Sequence, residues 1–225
     1  MHKIESEIKT LVWGTEEWFR LPEPFDKLLF KVIDAKERLS VQVHPNDEYA
    51  QEYEGSLGKT EAWYILDAQP KAKLVYGLDE GVGRREFERA IEEGTVEECL
   101  NFVPVKKGDM FFIPAGMVHA IGGGIKLAEL QENSEITYRV YDYNREPKRE
   151  LHVQKALEVI DFDRISEQNR SCKIECKYFV MEEIENNNKT SFESDKLIFS
   201  DGELYLVNAH EEVQFDGKIL VMGLS

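Results

Sequence analysis

Apolar and polar residues alternate through residues 39–44, which read Leu-Ser-Val-Gln-Val-His. Side chains at every second position of a β-strand point to the same face. The pattern therefore predicts a strand with Ser40, Gln42 and His44 on one face and apolar residues packed into a core on the other. A surface strand with one polar face has the same pattern, so this segment alone leaves both a solvated face and a polar barrel interior open.

Further polar residues occupy predicted strands elsewhere in the chain. Lys59 and Glu61 share one face of a second predicted strand at residues 58–66. His119 follows an apolar run that stops at a Pro-x-Gly turn, and Arg139 lies in another alternating segment. One glutamine, one glutamate and two histidines on neighbouring strands would form a nitrogen and oxygen ligand set suited to zinc or a similar divalent metal.

The remaining pattern predicts an all-β-dominated fold, a jelly-roll barrel with a small helical insertion. Helical periodicity appears at about 84–103, where Gly94 divides the segment into two short helices. Glycines 122–124 predict a tight hairpin, and the pairs Asp201-Gly202 and Asp216-Gly217 predict two more. Residues 161–171 are polar and predict a linker.

Composition narrows the classes of partner. The 225 residues include 28 basic and 44 acidic residues, a formal charge of −16, which argues against binding nucleic acid or anionic membrane surfaces. The net negative charge would repel a phosphorylated substrate, so binding one would require cationic side chains at the site. The chain has three cysteines and no Cys-x-x-Cys pair, so a disulfide framework is not expected and we predict a location in the reducing cytoplasm. The sequence contains no apolar run typical of a signal peptide or a membrane span. The oligomeric state is left open.

Longer motifs carry a family resemblance. The segments Leu-Ser-Val-Gln-Val-His-Pro-Asn-Asp, Gly-Lys-Thr-Glu-Ala-Trp-Tyr-Ile-Leu and Glu-Asn-Ser-Glu-Ile-Thr-Tyr-Arg-Val-Tyr-Asp-Tyr-Asn-Arg resemble those of the type I mannose-6-phosphate isomerases. Gly108, Pro114-x-Gly116 and His119 resemble the second motif of the cupin superfamily, to which that family belongs. The resemblance covers roughly residues 26–160. About 38 residues precede the first motif, which predicts a short form of the family.

The resemblance implies a cupin barrel and specific residue roles. It implies zinc, one ion per chain, held by Gln42, His44, Glu61 and His119. It also implies Arg139 as a catalytic arginine, and Ser40, Lys59 and Glu129 lining a sugar phosphate site. We expect residues 1–160 to form the metal-binding cupin domain, with the helical insertion at about 84–103, and residues 172–225 to form a small β-rich C-terminal domain.

The implied activity is an aldose–ketose isomerisation that interconverts mannose 6-phosphate and fructose 6-phosphate through an enediolate. Arg139 would stabilise the developing oxyanion. The base stays open between Glu129 and a water on the metal. The alternative is a metal cupin that binds a sugar or sugar phosphate without turnover. An iron oxygenase is disfavoured. Such sites hold iron with two histidines and one carboxylate and leave the other positions open, whereas Gln42 would add a fourth protein ligand here.

Overall fold

The computed structural model describes residues 1–164, 172–186 and 188–225. Its α-helices are α1 (Asp47–Glu54), α2 (Arg84–Glu93) and α3 (Val153–Val159), with a 3-10 helix at Val96–Cys99. Its strands are β1 (His2–Lys3), β2 (Ser6–Leu11), β3 (Gly14–Phe19), β4 (Leu28–Ala35), β5 (Val41–Val43), β6 (Glu61–Ala68), β7 (Lys73–Leu78), β8 (Leu100–Pro104), β9 (Met110–Ile113), β10 (His119–Ala120), β11 (Ile125–Glu132), β12 (Tyr138–Tyr141), β13 (Lys173–Glu175), β14 (Phe179–Asn186), β15 (Lys189–Thr190), β16 (Lys196–Ser200), β17 (Glu203–Val207), β18 (Val213–Gln214) and β19 (Gly217–Leu224). The predicted strand-dominated fold is confirmed.

Two facing sheets form the barrel. A six-stranded sheet has the order β2-β3-β4-β11-β6-β9, and a five-stranded sheet has the order β12-β5-β10-β7-β8. Apolar side chains from both sheets, among them Ile65 and Leu74, pack in one buried cluster between them. Polar side chains share this interior, so the barrel encloses both a core and a site.

The period-two pattern of β11 explains why this strand is buried on both faces. Leu127, Glu129 and Gln131 point into the barrel, whereas Ala128 and Leu130 point outward. The outward face packs against a third sheet, with the order β1-β17-β16-β19-β14-β13. Helices α2 and α3 cover the outer face of the five-stranded sheet.

The third sheet contains most of the C-terminal strands, but it begins with a strand from the other end of the chain. His2 and Lys3 of β1 pair with Leu206 and Tyr205 of β17. The division into domains at 1–160 and 172–225 stays a prediction. Of the predicted linker at 161–171, residues 165–171 lie outside the described residues.

Two local predictions within the barrel need correction. The predicted helical segment at 84–103 does divide at Gly94, but its last residues form strand β8. Glycines 122–124 do not form a hairpin, because β10 and β11 belong to different sheets. A Cβ atom on Gly122 would lie 2.0 Å from the carbonyl oxygen of Lys73, so glycine is needed here for close backbone packing.

The two Asp-Gly pairs behave differently. Asp201-Gly202 joins the paired strands β16 and β17 as predicted. Asp216-Gly217 connects β18 to β19, which pair with different strands, so the second hairpin prediction is wrong. Within the described ranges, no helix is long and apolar enough to cross a lipid bilayer.

Candidate metal centre and adjoining cavity

Three buried side chains with metal-ligating atoms meet inside the barrel. One ligand atom each from His44, Glu61 and His119 lies within 4.8 Å of the others. The two imidazole Nε2 atoms are 3.1 Å apart. Glu61 Oε1 lies 3.4 Å from His44 Nε2, and Glu61 Oε2 lies 3.8 Å from His119 Nε2. We call these three residues the metal-ligand cluster.

Strand pairing brings these residues together from distant parts of the sequence. His119 begins β10 and is paired with Gln42 of β5, so both histidines lie next to the same strand. The turn before His119 is fixed to His44, because the backbone N–H of Gly116 donates to the His44 carbonyl at 2.9 Å. Gly116 has a φ of 84°, a conformation that favours glycine. The Pro-x-Gly motif therefore helps to set the spacing of the two imidazoles.

Both imidazoles present a free nitrogen to the centre of the cluster. Nδ1 of His44 lies 2.8 Å from the Ile136 carbonyl, and Nδ1 of His119 lies 2.8 Å from the Met117 carbonyl. Protons on these Nδ1 atoms leave the Nε2 lone pairs facing each other. Burial and the nearby Lys59 charge lower the pKa of His44 to about 3, and burial lowers that of His119. Neutral imidazoles with converging lone pairs are suited to hold a metal ion.

The Glu61 carboxylate also fits a cation. Neither of its oxygens accepts a hydrogen bond from a described residue, although both are buried. Lys59 Nζ lies 3.0 Å from Glu61 Oε1, but this ion pair lacks hydrogen-bond geometry. Burial tends to raise the pKa of Glu61, but Lys59 and the two histidines reverse this effect and lower it well below its usual range. Lys59 balances part of the Glu61 charge, but Oε2 has no donor among the described residues, and a bound metal ion would coordinate such an oxygen.

Gln42 supplies the fourth predicted ligand position. Its side-chain Nε2 lies 3.4 Å from Nε2 of His119. Rotating the terminal amide by 180° exchanges its nitrogen and oxygen with little change in shape. The amide oxygen would then face the centre of the metal-ligand cluster. The structure thus brings all four sequence-predicted ligand residues together.

A cavity of about 320 Å³ adjoins the cluster. Its lining includes the four other predicted site residues, which are Ser40, Lys59, Glu129 and Arg139. Arg139 donates from Nε to the Ser40 hydroxyl at 3.3 Å and from Nη1 to the Glu150 carbonyl at 2.7 Å. Among the described residues, no carboxylate forms an ion pair with Arg139 within 4.0 Å, so its charge faces the cavity without a direct counter-ion.

Glu129 belongs to a buried polar group with complete contacts, which we call the glutamate network (Lys31, Trp63, Glu129 and Gln131). Lys31 Nζ donates to Glu129 Oε1 at 3.1 Å and to Gln131 Oε1 at 2.6 Å. The Trp63 indole N–H donates to Glu129 Oε2 at 2.8 Å. Burial and the charge of Glu61 raise the pKa of Glu129, even though Lys31 and Lys59 oppose this shift.

Sequence reasoning missed several residues that line the cavity. Lys31 had a signal, because it is the one charged residue in the apolar segment 28–33. Trp13 and Trp18 come from the N-terminal hairpin, which gave no sign that it forms a cavity wall. Arg149 also lines the cavity, and it lies outside every regular element.

Comparisons with known proteins point to one family. Residues 2–79 match the family model described as phosphomannose isomerase type I, catalytic domain. Mannose-6-phosphate isomerase ManA of Bacillus subtilis is 45% identical over 184 residues, which are 75% of this chain and 56% of that protein. The chain is a relative of the type I mannose-6-phosphate isomerases. The resemblance predicted from its motifs is therefore confirmed.

Other matches define the extent of this relationship. The mannose-6-phosphate isomerase of Streptococcus mutans is 45% identical over 137 residues, 59% of this chain and 43% of that protein. The chain thus spans about half the length of these curated relatives. The crystal structure of a mannose 6-phosphate isomerase from Bacillus subtilis has the same fold, with a TM-score of 0.77, 24% identity and 98% coverage of both chains.

Proposed function

We propose that the chain is a zinc-dependent isomerase that interconverts mannose 6-phosphate and fructose 6-phosphate. The observation that carries this proposal is the metal-ligand cluster, whose buried carboxylate accepts no hydrogen bond from the described residues. The cluster lies beside a cavity whose lining includes four cationic and three acidic side chains. The names of the relatives supply the substrate class, because those relatives are mannose-6-phosphate isomerases.

The ligand residues would hold the metal at the inner end of the cavity. Gln42, His44, Glu61 and His119 provide nitrogen and oxygen donors of the kind that zinc prefers. When bound, zinc would supply a positive charge that polarises a substrate oxygen. Lys59, beside Glu61 and on the cavity wall, would add a second positive charge for binding the substrate.

Arg139 and Glu129 would act on the substrate itself. The isomerisation transfers one hydrogen between C2 and C1 of the sugar, and negative charge develops on an oxygen during the transfer. Arg139 is held through Ser40 and the Glu150 carbonyl, so its guanidinium is positioned to stabilise this charge. Glu129, whose pKa is raised, would take the proton from one carbon and return it to the other.

The proposal extends to location and partners. The substrate is a small sugar phosphate, and we infer a cytoplasmic location from the odd number of cysteines, all of which are unpaired. The strongly acidic charge of −16 supports a protein that binds neither nucleic acid nor anionic membranes.

The decisive experiment measures metal content and isomerase activity on the same preparation. We expect about one zinc ion per chain, loss of activity after chelation, and recovery when zinc is added back. His119→Ala should lose both zinc and activity. His210→Ala is the matched control, because that histidine is largely exposed at 72%, and it should retain both.

The same measurement separates the enzyme from a binding protein. A zinc-loaded chain that binds mannose 6-phosphate but never forms fructose 6-phosphate would favour the non-catalytic alternative. Full zinc content in His119→Ala would contradict the ligand assignment.

A further inference from the structure

The cavity contains a second guanidinium that the proposed isomerisation does not use. Arg149 lines it together with Arg139. Asp142 binds Arg149 in a bidentate manner, accepting from Nε at 2.7 Å and from Nη2 at 2.5 Å. This geometry uses two of the five guanidinium donors. The remaining donors include both N–H groups of Nη1, which are available to a ligand.

Trp13 fixes the plane of this guanidinium. The Arg149 guanidinium carbon lies 4.7 Å from the centre of the Trp13 ring, within the range of a cation–π contact. Trp13 is itself held, because its carbonyl accepts the backbone N–H groups of Lys36 at 2.8 Å and Glu37 at 2.9 Å. Its buried indole N–H has no hydrogen-bond partner among the described residues. Arg149 is therefore oriented before any ligand arrives.

Three arginines, Arg139, Arg145 and Arg149, lie near two carboxylates, Asp142 and Glu150, so positive charge exceeds negative charge here. Asp142 is shared, because Arg145 Nη1 also lies 3.8 Å from one of its oxygens. Arg139 lies close enough that the charge of Arg149, after burial, lowers the pKa of Arg139. Adjacent guanidinium groups at a partly buried site repel each other, and an anion bound to one of them reduces this repulsion. A dianionic phosphate would neutralise this excess and accept bidentate hydrogen bonds.

The two arginines have different partners in the cavity wall. Arg139 donates to Ser40, which directly precedes β5, the strand that contains Gln42. Arg149 instead contacts Trp13, in the turn of the N-terminal hairpin.

We propose that Arg149, oriented by Asp142 and Trp13, binds the phosphate group of the substrate. This inference rests on the proposed function, and it separates a phosphate-binding arginine from Arg139, which acts at the reacting carbons. It also gives the N-terminal hairpin a role in recognising the substrate.

The test compares Arg149→Lys with Arg20→Lys. Lysine keeps the charge but loses the bidentate contact with Asp142 and the stacked plane. We expect KM for mannose 6-phosphate to rise by about 10- to 100-fold in Arg149→Lys, the effect of losing a charged hydrogen bond, with kcat changed by less than about 3-fold. Zinc content should be unchanged. Arg20, whose side chain is 91% exposed, should behave like the parent. An unchanged KM in a folded Arg149→Lys enzyme would overturn the inference.

Binding of inorganic phosphate keeps this test independent of turnover. If the parent shows no isomerase activity, the proposed function fails, but titration calorimetry with inorganic phosphate still tests the inference. Weaker phosphate binding in Arg149→Lys than in the parent supports the inference. Equal binding in the two proteins, or no binding in the parent, overturns it. If the variant does not fold, phosphate should protect Arg149 of the parent from phenylglyoxal, as read by peptide mass spectrometry. Failure to protect Arg149 would also overturn it.

Discussion

The metal-ligand cluster and the glutamate network are neighbouring buried polar groups with opposite hydrogen-bonding states. In the glutamate network, Lys31 and Trp63 together satisfy both oxygens of Glu129. In the cluster, Glu61 accepts no hydrogen bond from the described residues. Both carboxylates are buried and both lie in the six-stranded sheet, so burial and location do not explain the difference.

The contrast shows which of the two groups is incomplete. A satisfied buried network is explained by its own contacts and can remain unchanged without a ligand. A buried carboxylate and two converging imidazole nitrogens are not explained in this way, because their mutual contacts leave lone pairs without donors. A metal ion would coordinate these lone pairs, which is why we assign it to the cluster and not to Glu129.

The largest expected effect comes from matched changes to the two carboxylates. Glu61→Gln should weaken zinc binding by more than about 100-fold, beyond the 10- to 100-fold typical of residues that only orient ligands. Glu129→Gln should change zinc affinity by only a few fold, because Glu129 contacts Lys31 and Trp63. Competition with a coloured chelator measures both. Similar losses in the two variants would remove the distinction between the groups.

Lys31→Met tests whether the glutamate network is held together by its own charges. The change leaves Glu129 buried beside Glu61 without its lysine, and breaking one half of a buried pair typically costs about 3–5 kcal/mol. Denaturant unfolding of the zinc-loaded protein measures this loss. Lys36→Met is the control, since the Lys36 side chain is 71% exposed in its ion pair with Asp34. A loss no larger than that of the control would show that the network is not held by this pair.

Arg139→Ala tests the cavity that adjoins the two groups. We expect kcat to fall by about 100- to 1000-fold, the effect of removing a preorganised donor to a developing charge, while zinc affinity stays unchanged. Arg139→Lys should restore only part of the rate, because lysine cannot reproduce both the Ser40 and the Glu150 contact. Steady-state kinetics measure both variants. A change confined to KM would instead assign Arg139 to substrate binding.

The cluster could be predicted from the sequence more fully than the network. Strand alternation placed Gln42 and His44 on one face, and the Pro-x-Gly turn marked His119. Lys31 was not predicted, because its contact with Glu129 depends on the register between β4 and β11. Register joins residues nearly a hundred positions apart, and no local pattern specifies it.

The failed hairpin predictions have a related cause. Glycines 122–124 and the pair Asp216-Gly217 carry local turn signals, but each segment leads from one sheet to another. Turn chemistry describes the bend and not the partner of the strand that follows. Arg149 shows the same limit for the site, because its position in the cavity depends on a non-local contact with Trp13.

A third buried carboxylate, Glu132, extends the comparison to a carboxyl group that forms no ion pair with a described residue. It accepts the Thr60 backbone N–H at 2.8 Å, and burial together with Asp47 raises its pKa to about 7. A folded-state pKa above the unfolded value of about 4.5 means that the folded protein binds the proton more tightly. This contribution to stability is fully present below about pH 4.5 and is lost as the pH rises toward 7.

Glu132→Gln should therefore remove part of the pH dependence of the free energy of unfolding. We expect this effect to be the smallest of the four predictions. Glutamine mimics the neutral acid, so the parent should lose about 1–3 kcal/mol relative to the variant between pH 4.5 and 7. Denaturant unfolding of both zinc-loaded proteins across this range measures the difference. If the two stability curves run parallel, Glu132 is already ionised in the folded state. The Thr60 backbone N–H would then be sufficient to hold Glu132 ionised, which would separate it from Glu61, whose oxygens accept no hydrogen bond from the described residues.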